Sequence, residues 1–487
     1  MNWQDQFHLI GPALALFIGA GVVLAADITR PGRVPVWGLT LIAIAIAGLY
    51  TLWHSVTGTR GAAFDGAIVV DDFSIFFAFV IVTTAAAVTL ASRDWAVTFD
   101  QTPEFFALLL VSAGAMLVLA QSVDLIMIFI ALETTSIAQF VMAGIARDDR
   151  GSEAGLKYLL TGAVAAAVLL YGFVFLWGLA GTTELAGIAA FVAQGDEALR
   201  LPLMLAFVLV AAGFGFKMAI VPFHAWVPDV YQGAPIPVAS FLSVASKAAG
   251  FAVVLRVFYV GLGGGGTFIA DDWAIMFGVF AAASMLFGNL GALLQTNVKR
   301  LLGYSSIAQA GNIAVGLAAV AAGSTLGPSG VLFFIGTYVA TNLGAFLTVL
   351  VVSQRLGSDE LSAYAGLIRR SPVAASILAL CLLSLTGIPP TAGFIAKVYV
   401  FNAAVRTDEM WLVALVAIAV VNTAISAYYY LRWVRTMILD APADESSFAP
   451  SYAAQAALAA AAIGVIFVGL IPTPLMAAAQ RAAEVLQ

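Results

Sequence analysis

The chain has 487 residues, of which 62% are hydrophobic and only 10% charged, and its net charge is −6. A soluble globular protein carries about 25% charged residues, so the composition excludes that class and points to a bilayer protein. The charge is spread over short loops, with no basic run suited to nucleic acid and no polybasic cluster suited to lipid headgroups. Residues 1–8 contain Asp5 and no Lys or Arg. The first apolar stretch therefore lacks the basic start of a secretory signal and is expected to be a retained helix. Fourteen apolar windows, each long enough for a roughly 30 Å hydrocarbon core, follow in order. They lie at 7–26, 35–53, 73–92, 103–121, 123–145, 153–180, 201–222, 237–260, 273–295, 300–322, 329–353, 373–404, 410–438 and 452–472.

Basic residues favour cytoplasmic loops. With the N-terminus outside, the inner segments hold Arg30, Arg33, Arg93, Arg147, Arg150, Lys157, Lys299, Arg300, Arg355, Arg369, Arg370, Arg432 and Arg435. The outer segments hold only Arg60, Arg200, Arg256, Arg406 and Arg481. Adding or losing one span mid-chain would invert every later loop and erase this bias. The expected topology is thus an all-α polytopic protein of about fourteen spans with both termini on the outer side.

Three lysines, Lys217, Lys247 and Lys397, remain inside the spans. A lysine at the centre of an inserted helix costs about 2.5–3.5 kcal/mol, so such groups normally face a wet interior and serve transport. Snorkelling to an interface suits Lys157, near a helix start, and Lys299, read as a loop residue; it suits the other three poorly. Pro222 and Pro228 follow Lys217, and Gly387, Pro389 and Pro390 precede Lys397, so a broken helix is expected at each. Freed backbone groups at such breaks are tolerated where protein or a water-filled cavity satisfies them. Lys247 lies in an unbroken span and shares a face with Ser240 and Ser243.

Glu133 is mid-span, with Ser136 one turn later on its side. Further polar stripes are Ser305, Gln309 and Asn312; Tyr338, Thr341 and Asn342; and Asn422 and Ser426. Any one stripe is compatible with helix-packing hydrogen bonds. Together with a carboxylate and three lysines they favour a hydrated polar track. A cation in a low-dielectric interior is costly and a nearby carboxylate offsets that cost. A varying Glu133–Lys217 separation would then switch the lysine between holding and releasing a proton, with Lys217, Lys247 and Lys397 as successive carriers.

Redox chemistry has no foothold in the residues. Cys381 is the only cysteine and His8, His54 and His224 are scattered, too few for an Fe–S cluster, a haem pair or a cysteine-based zinc site. The 263–266 glycine run follows an apolar helix and leads to Asp271 and Asp272, with no strand or βαβ unit around it, so it is not a dinucleotide motif. No cofactor is expected in this chain.

The segment KMAIVPFHAWVPDVYQGAPIPVASFLSVAS at 217–246, continuing into Lys247, resembles the antiporter-like subunits of respiratory complex I. The stretches SEAGLKYLL at 152–160, NVKRLLGYSSIAQ at 297–309 and LTGIPPTAGFIAKVYVF at 385–401 resemble its N-type members in particular. The likeness covers roughly residues 70–440. It implies two inverted five-helix repeats, spans 4–8 (residues 103–262) and 9–13 (263–440), between N-terminal helices 1–3 (1–102) and a last helix (441–487), with the seventh and twelfth helices broken. It also implies that Glu133, Lys217, Lys247 and Lys397 match the family's proton relay, and Lys157 and His224 secondary relay positions.

A lysine at 397 fits the N-type, and the short end after the fourteenth span lacks the lateral helix of the L-type. One departure is AQAGN at 308–312, where relatives often have histidine. The resemblance places NADH, FMN, Fe–S clusters and quinone in partner subunits, with other complex I membrane subunits as neighbours in a bacterial inner membrane. A subunit of a multi-subunit Na⁺/H⁺ antiporter and a non-conducting scaffold are the alternatives.

Overall fold

The computed structural model of the chain describes residues 3–30, 32, 34–442 and 444–486. Arg33, counted above among the inner cations, lies outside the described residues, as do residues 1 and 2. Among the described residues, twelve helices are long and apolar enough to cross a membrane, from Gly11–Thr29 to Tyr452–Leu470. Two further expected spans take other forms. Val298–Ala321 is a 24-residue helix, buried on nearly every side, whose Lys299 and Arg300 lower its hydropathy. The 373–404 window is two short apolar helices, Pro372–Thr386 and Ala392–Val405. Gly387, at φ +89°, ends the first of them, a left-handed backbone open to glycine because it has no Cβ.

Burial sorts the helices. The continuous helical segment Ile236–Gly261 is buried along nearly its whole length and most residues of Gly327–Leu356 are buried, whereas most residues of Asp149–Ala180 and Met410–Leu439 are not. Apolar exposed residues such as Val164 and Val421 suit lipid, which is no more costly for them than the core. Small residues set the closest approach. A Cβ on Gly288 of Ala270–Leu293 would meet the Ala308 backbone nitrogen at 2.6 Å, and one on Gly311 would meet the Ala281 carbonyl at 2.8 Å. These two helices therefore pack backbone to backbone.

Several expectations change. A small antiparallel hairpin, Gly61–Ala63 with Ile68–Val70, interrupts the all-helical pattern. It precedes a capping box in which Asp71 and Ser74 satisfy each other's backbone amides at the start of Asp72–Ala91. Arg256, counted above with the outer cations, lies inside a span. It is buried near the end of Ile236–Gly261, 2.7 Å from Asp71 Oδ2 and 4.5 Å over the Phe73 ring. The Asp71 charge, invisible to span counting, makes that depth tolerable. Lys299 is not in a loop but in the first turn of Val298–Ala321, buried and 3.2 Å from Asp359.

Candidate functional site: buried lysines on a polar track

All three intramembrane lysines are buried. Each ammonium carries three donors, and each finds neutral oxygen acceptors rather than a carboxylate. Lys217 occupies the last turn of Arg200–Met218, which closes on Ala219 at φ +62°. Its Nζ donates to Gln139 Oε1 at 2.8 Å and Ser136 Oγ at 3.3 Å, both on Leu125–Ala143. Lys247 follows a π-helical turn, Leu242–Ser246, and reaches the carbonyl and hydroxyl of Ser306, with the Tyr338 ring centroid 5.6 Å from its Nζ. Lys397, in Ala392–Val405, turns back to the Thr386 carbonyl at 2.9 Å, the Leu385 carbonyl at 3.2 Å and Thr423 Oγ1 at 3.4 Å. Those two carbonyls sit at the end of Pro372–Thr386, where the helix leaves carbonyls unpaired and its dipole favours a cation.

Polar side chains of the stripes bond across helices beside these lysines. Tyr338 donates to Ser306 Oγ at 3.2 Å, and Asn342 donates to Ser243 Oγ at 2.9 Å. Ser305 bonds Tyr430, and Thr341 lies 3.2 Å from Ser384 Oγ. Gln309 Nε2 donates to the Leu385 carbonyl at 2.9 Å, the same oxygen that Lys397 uses, and takes a bond from Asn312. The stripe of Asn422 and Ser426 is different. Asn422 pairs with Asn289, which also accepts from Tyr429, and Ser426 bonds within its own helix. That stripe packs helices together.

Glu133 is half-buried on Leu125–Ala143, and none of the ion pairs within 4.0 Å among the described residues includes it. Lys217 makes its direct contacts with Gln139 and Ser136, one to two turns further along the same helix, while Glu133 is near enough to act on it by charge without a contact within 4.0 Å. On the helix surface beside Glu133, Ile130 and Ile137 are exposed. Sequence reading missed Gln139, which is fully buried, although its spacing of three from Ser136 is the signal that places it on the same side.

Lys157 lies in a charged cluster near the start of Asp149–Ala180. Its Nζ is 2.7 Å from both Asp229 and Glu153, and Arg300 pairs with Asp229 from the other side. With Arg150 and Gln232 these residues line a cavity of about 240 Å³. Burial alone would raise the Asp229 carboxyl, but its bonds to Lys157 and Arg300 hold it below the usual carboxylate range. His224 packs its ring 6.3 Å from Phe287 and hydrogen bonds none of the lysines.

Residues 122–425 match the family model described as NADH:quinone oxidoreductase/Mrp antiporter, transmembrane. A NADH-quinone oxidoreductase subunit N from Dehalococcoides mccartyi is 38% identical, covering 98% of this chain and 99% of the relative. A NAD(P)H-quinone oxidoreductase subunit 2 from Synechococcus sp. is 39% identical over 98% and 91%. Among solved structures, a chain of respiratory complex I from Thermus thermophilus with bound aureothin superposes with a TM-score of 0.80 at 32% identity, covering 96% of this chain and 98% of that one. A chain of the Mrp complex from Dietzia sp. has a TM-score of 0.86 over 100% and 98% at 20% identity, a likeness of fold alone.

Proposed function

Since the chain belongs to the NADH:quinone oxidoreductase/Mrp antiporter family, as an antiporter-like membrane subunit of a translocating oxidoreductase, we propose that it moves protons through a relay of Lys217, Lys247 and Lys397, with Glu133 modulating the first. The carrying observation is that three buried ammonium groups rest on neutral acceptors, with hydroxyl and amide side chains bonded across helices beside them. Such a cation is costly enough to give up its proton and well enough held to take one back. Lys157 and His224 are assigned as secondary relay groups, Lys157 at the polar cavity and His224 within the 219–225 interruption between helices.

The arrangement we infer is fourteen spans in two inverted five-helix repeats with breaks at the seventh and twelfth. Supporting it are the helix end at Met218 just after Lys217 and the interval between Thr386 and Ala392 before Lys397. Both termini are assigned to the outer side of a bacterial plasma membrane on the basic-residue bias. Labelling cysteines introduced at Ser358 from the inside and at Glu409 from the outside tests this, and the reverse pattern refutes it.

Electron transfer from NADH through FMN and Fe–S clusters to quinone is assigned to partner subunits. A carboxylate facing hydrocarbon is expensive, which favours an adjoining membrane subunit over the face of Leu125–Ala143 that carries Glu133. Lys217→Met, Lys247→Met and Lys397→Met, each in the assembled oxidoreductase in proteoliposomes, test the relay. Proton uptake and coupled turnover should fall in all three while an artificial acceptor that bypasses quinone is still reduced. Parental uptake at full complex yield would refute the role of the residue changed.

A further inference from the structure

The amide of Gln139 is where the first lysine meets the rest of the track. It is fully buried on Leu125–Ala143. Its Oε1 accepts from Lys217 Nζ at 2.8 Å, Ser246 Oγ at 3.0 Å and Tyr158 Oη at 3.1 Å, and its Nε2 donates to Ser112 Oγ at 3.0 Å. Four other helical segments thus converge on one side chain. The amide has one workable orientation, because turning it over would point two N–H donors at the ammonium. Tyr158 is itself held flat against Trp226, 4.4 Å between ring centroids at 19°.

The donors outnumber the sites. An amide oxygen has two lone pairs, so three donors compete, and the charged one forms the strongest bond. If Lys217 loses its proton or moves away, Ser246 and Tyr158 gain the oxygen. Ser246 directly precedes Lys247 and belongs to the π-helical turn Leu242–Ser246, so what happens at this oxygen reaches the segment carrying the second lysine. The amide has no proton to titrate and cannot itself be the carrier.

We propose that Gln139 is a positioning residue of the proton pathway, holding the Lys217 ammonium in place and linking its occupancy to the Ser246–Lys247 turn. This rests on the proton-transfer reading above. The test uses Gln139→Leu, Gln139→Glu and Lys217→Met in the assembled oxidoreductase in proteoliposomes, measuring proton uptake, coupled turnover, complex yield and the pH profile of uptake.

Gln139→Leu, similar in volume, should keep the complex assembled and lower uptake on the order of tenfold, as misplacement of a reacting group does. Gln139→Glu keeps acceptor oxygens at the same reach and adds a charge beside the ammonium. It should retain uptake with the profile moved to higher pH by about one unit. Gln139→Leu with parental uptake and pH profile, alongside a slow Lys217→Met, overturns the positioning role and leaves the relay intact. Parental uptake in Lys217→Met instead overturns the relay itself. If Gln139→Leu fails to assemble, Gln139→Glu decides alone: a displaced profile supports the role, and an unmoved one reduces Gln139 to packing.

Discussion

Lys217 and Arg256 in the first half are held by different means from Lys397 and Arg432 in the second. In the first half the partners are mainly side chains from other helices: Lys217 on Gln139 and Ser136, and Arg256 on Asp71, with the Ala120 carbonyl a longer contact at 3.4 Å. In the second half, where buried Lys299 pairs with Asp359, Lys397 and the half-buried Arg432 rest mainly on main-chain carbonyls at helix ends. Lys397 uses Leu385 and Thr386, and Arg432 uses Leu293 at 3.1 Å and Gln295 at 2.7 Å. Lys247 stands between, since both the carbonyl and the hydroxyl of Ser306 serve it. A side-chain acceptor is specified at one position and one substitution removes it. A carbonyl acceptor is specified by where a helix stops, so the residues that set the break matter more than the residue supplying the oxygen.

The largest expected effect separates the halves by charge. Arg256→Ala leaves Asp71 buried without its ion-pair partner, and breaking such a pair typically costs about 3–5 kcal/mol. Thermal unfolding of the detergent-solubilised complex and its yield should both fall sharply. Arg256→Met with Asp71→Asn should recover part of the loss, and no recovery would mean that Arg256 matters through packing on Phe73 instead.

Next come the glycines at the two interruptions. A Cβ on Gly393 would lie 1.9 Å from the Ser384 carbonyl oxygen, a backbone atom, whereas one on Gly215 would lie 2.4 Å from the Phe223 ring, a side chain that is only half-buried. Gly393→Ala should destabilise by about 3 kcal/mol and Gly215→Ala by about 1 kcal/mol, since overpacking costs least where a side chain can turn away. Equal unfolding temperatures for the two variants would erase the distinction between a break set by backbone contact and one set by side chains.

Smaller still is the cost of removing the lysines themselves. Lys397→Met strips the Thr386 carbonyl of its ammonium partner, at about 1–3 kcal/mol for a buried acceptor left without a bond. In Lys217→Met the acceptors keep other partners, because Gln139 still receives Ser246 and Tyr158 and Ser136 donates to the Leu132 carbonyl. That variant should cost about 1 kcal/mol or less. Unfolding of the two variants at matched detergent, with Lys217→Met the less stable, would contradict the contrast.

The smallest effect lies at Asp229, which joins Lys157 of the first half to Arg300 of the second. Its carboxyl is held below the ordinary value, so its stabilisation is present above that ordinary value and disappears as pH falls through the depressed one. Asp229→Asn should therefore lower the unfolding temperature slightly at neutral pH, and the gap to the parent should close in acid. A gap that persists unchanged into acid would rule out the ion pairs as its cause.

Membrane residence, the approximate positions of the spans and the three intramembrane lysines were legible in the residues themselves. Bilayer thickness fixes span length, and the cost of burying a charge makes each mid-span lysine conspicuous. Gly387, Pro389 and Pro390 likewise marked the second interruption, because glycine and proline act on their own backbone. Partner choice was not legible in the same way. Which oxygen an ammonium reaches depends on helices far apart in sequence, as with Lys217 and Gln139, separated by 78 positions, or Arg256 and Asp71, separated by 185. Glu133 was singled out by its own charge, but only the packing of Leu125–Ala143 put a neutral amide in direct contact with Lys217, because a helix fixes the face a residue occupies and only its neighbours decide what that face meets.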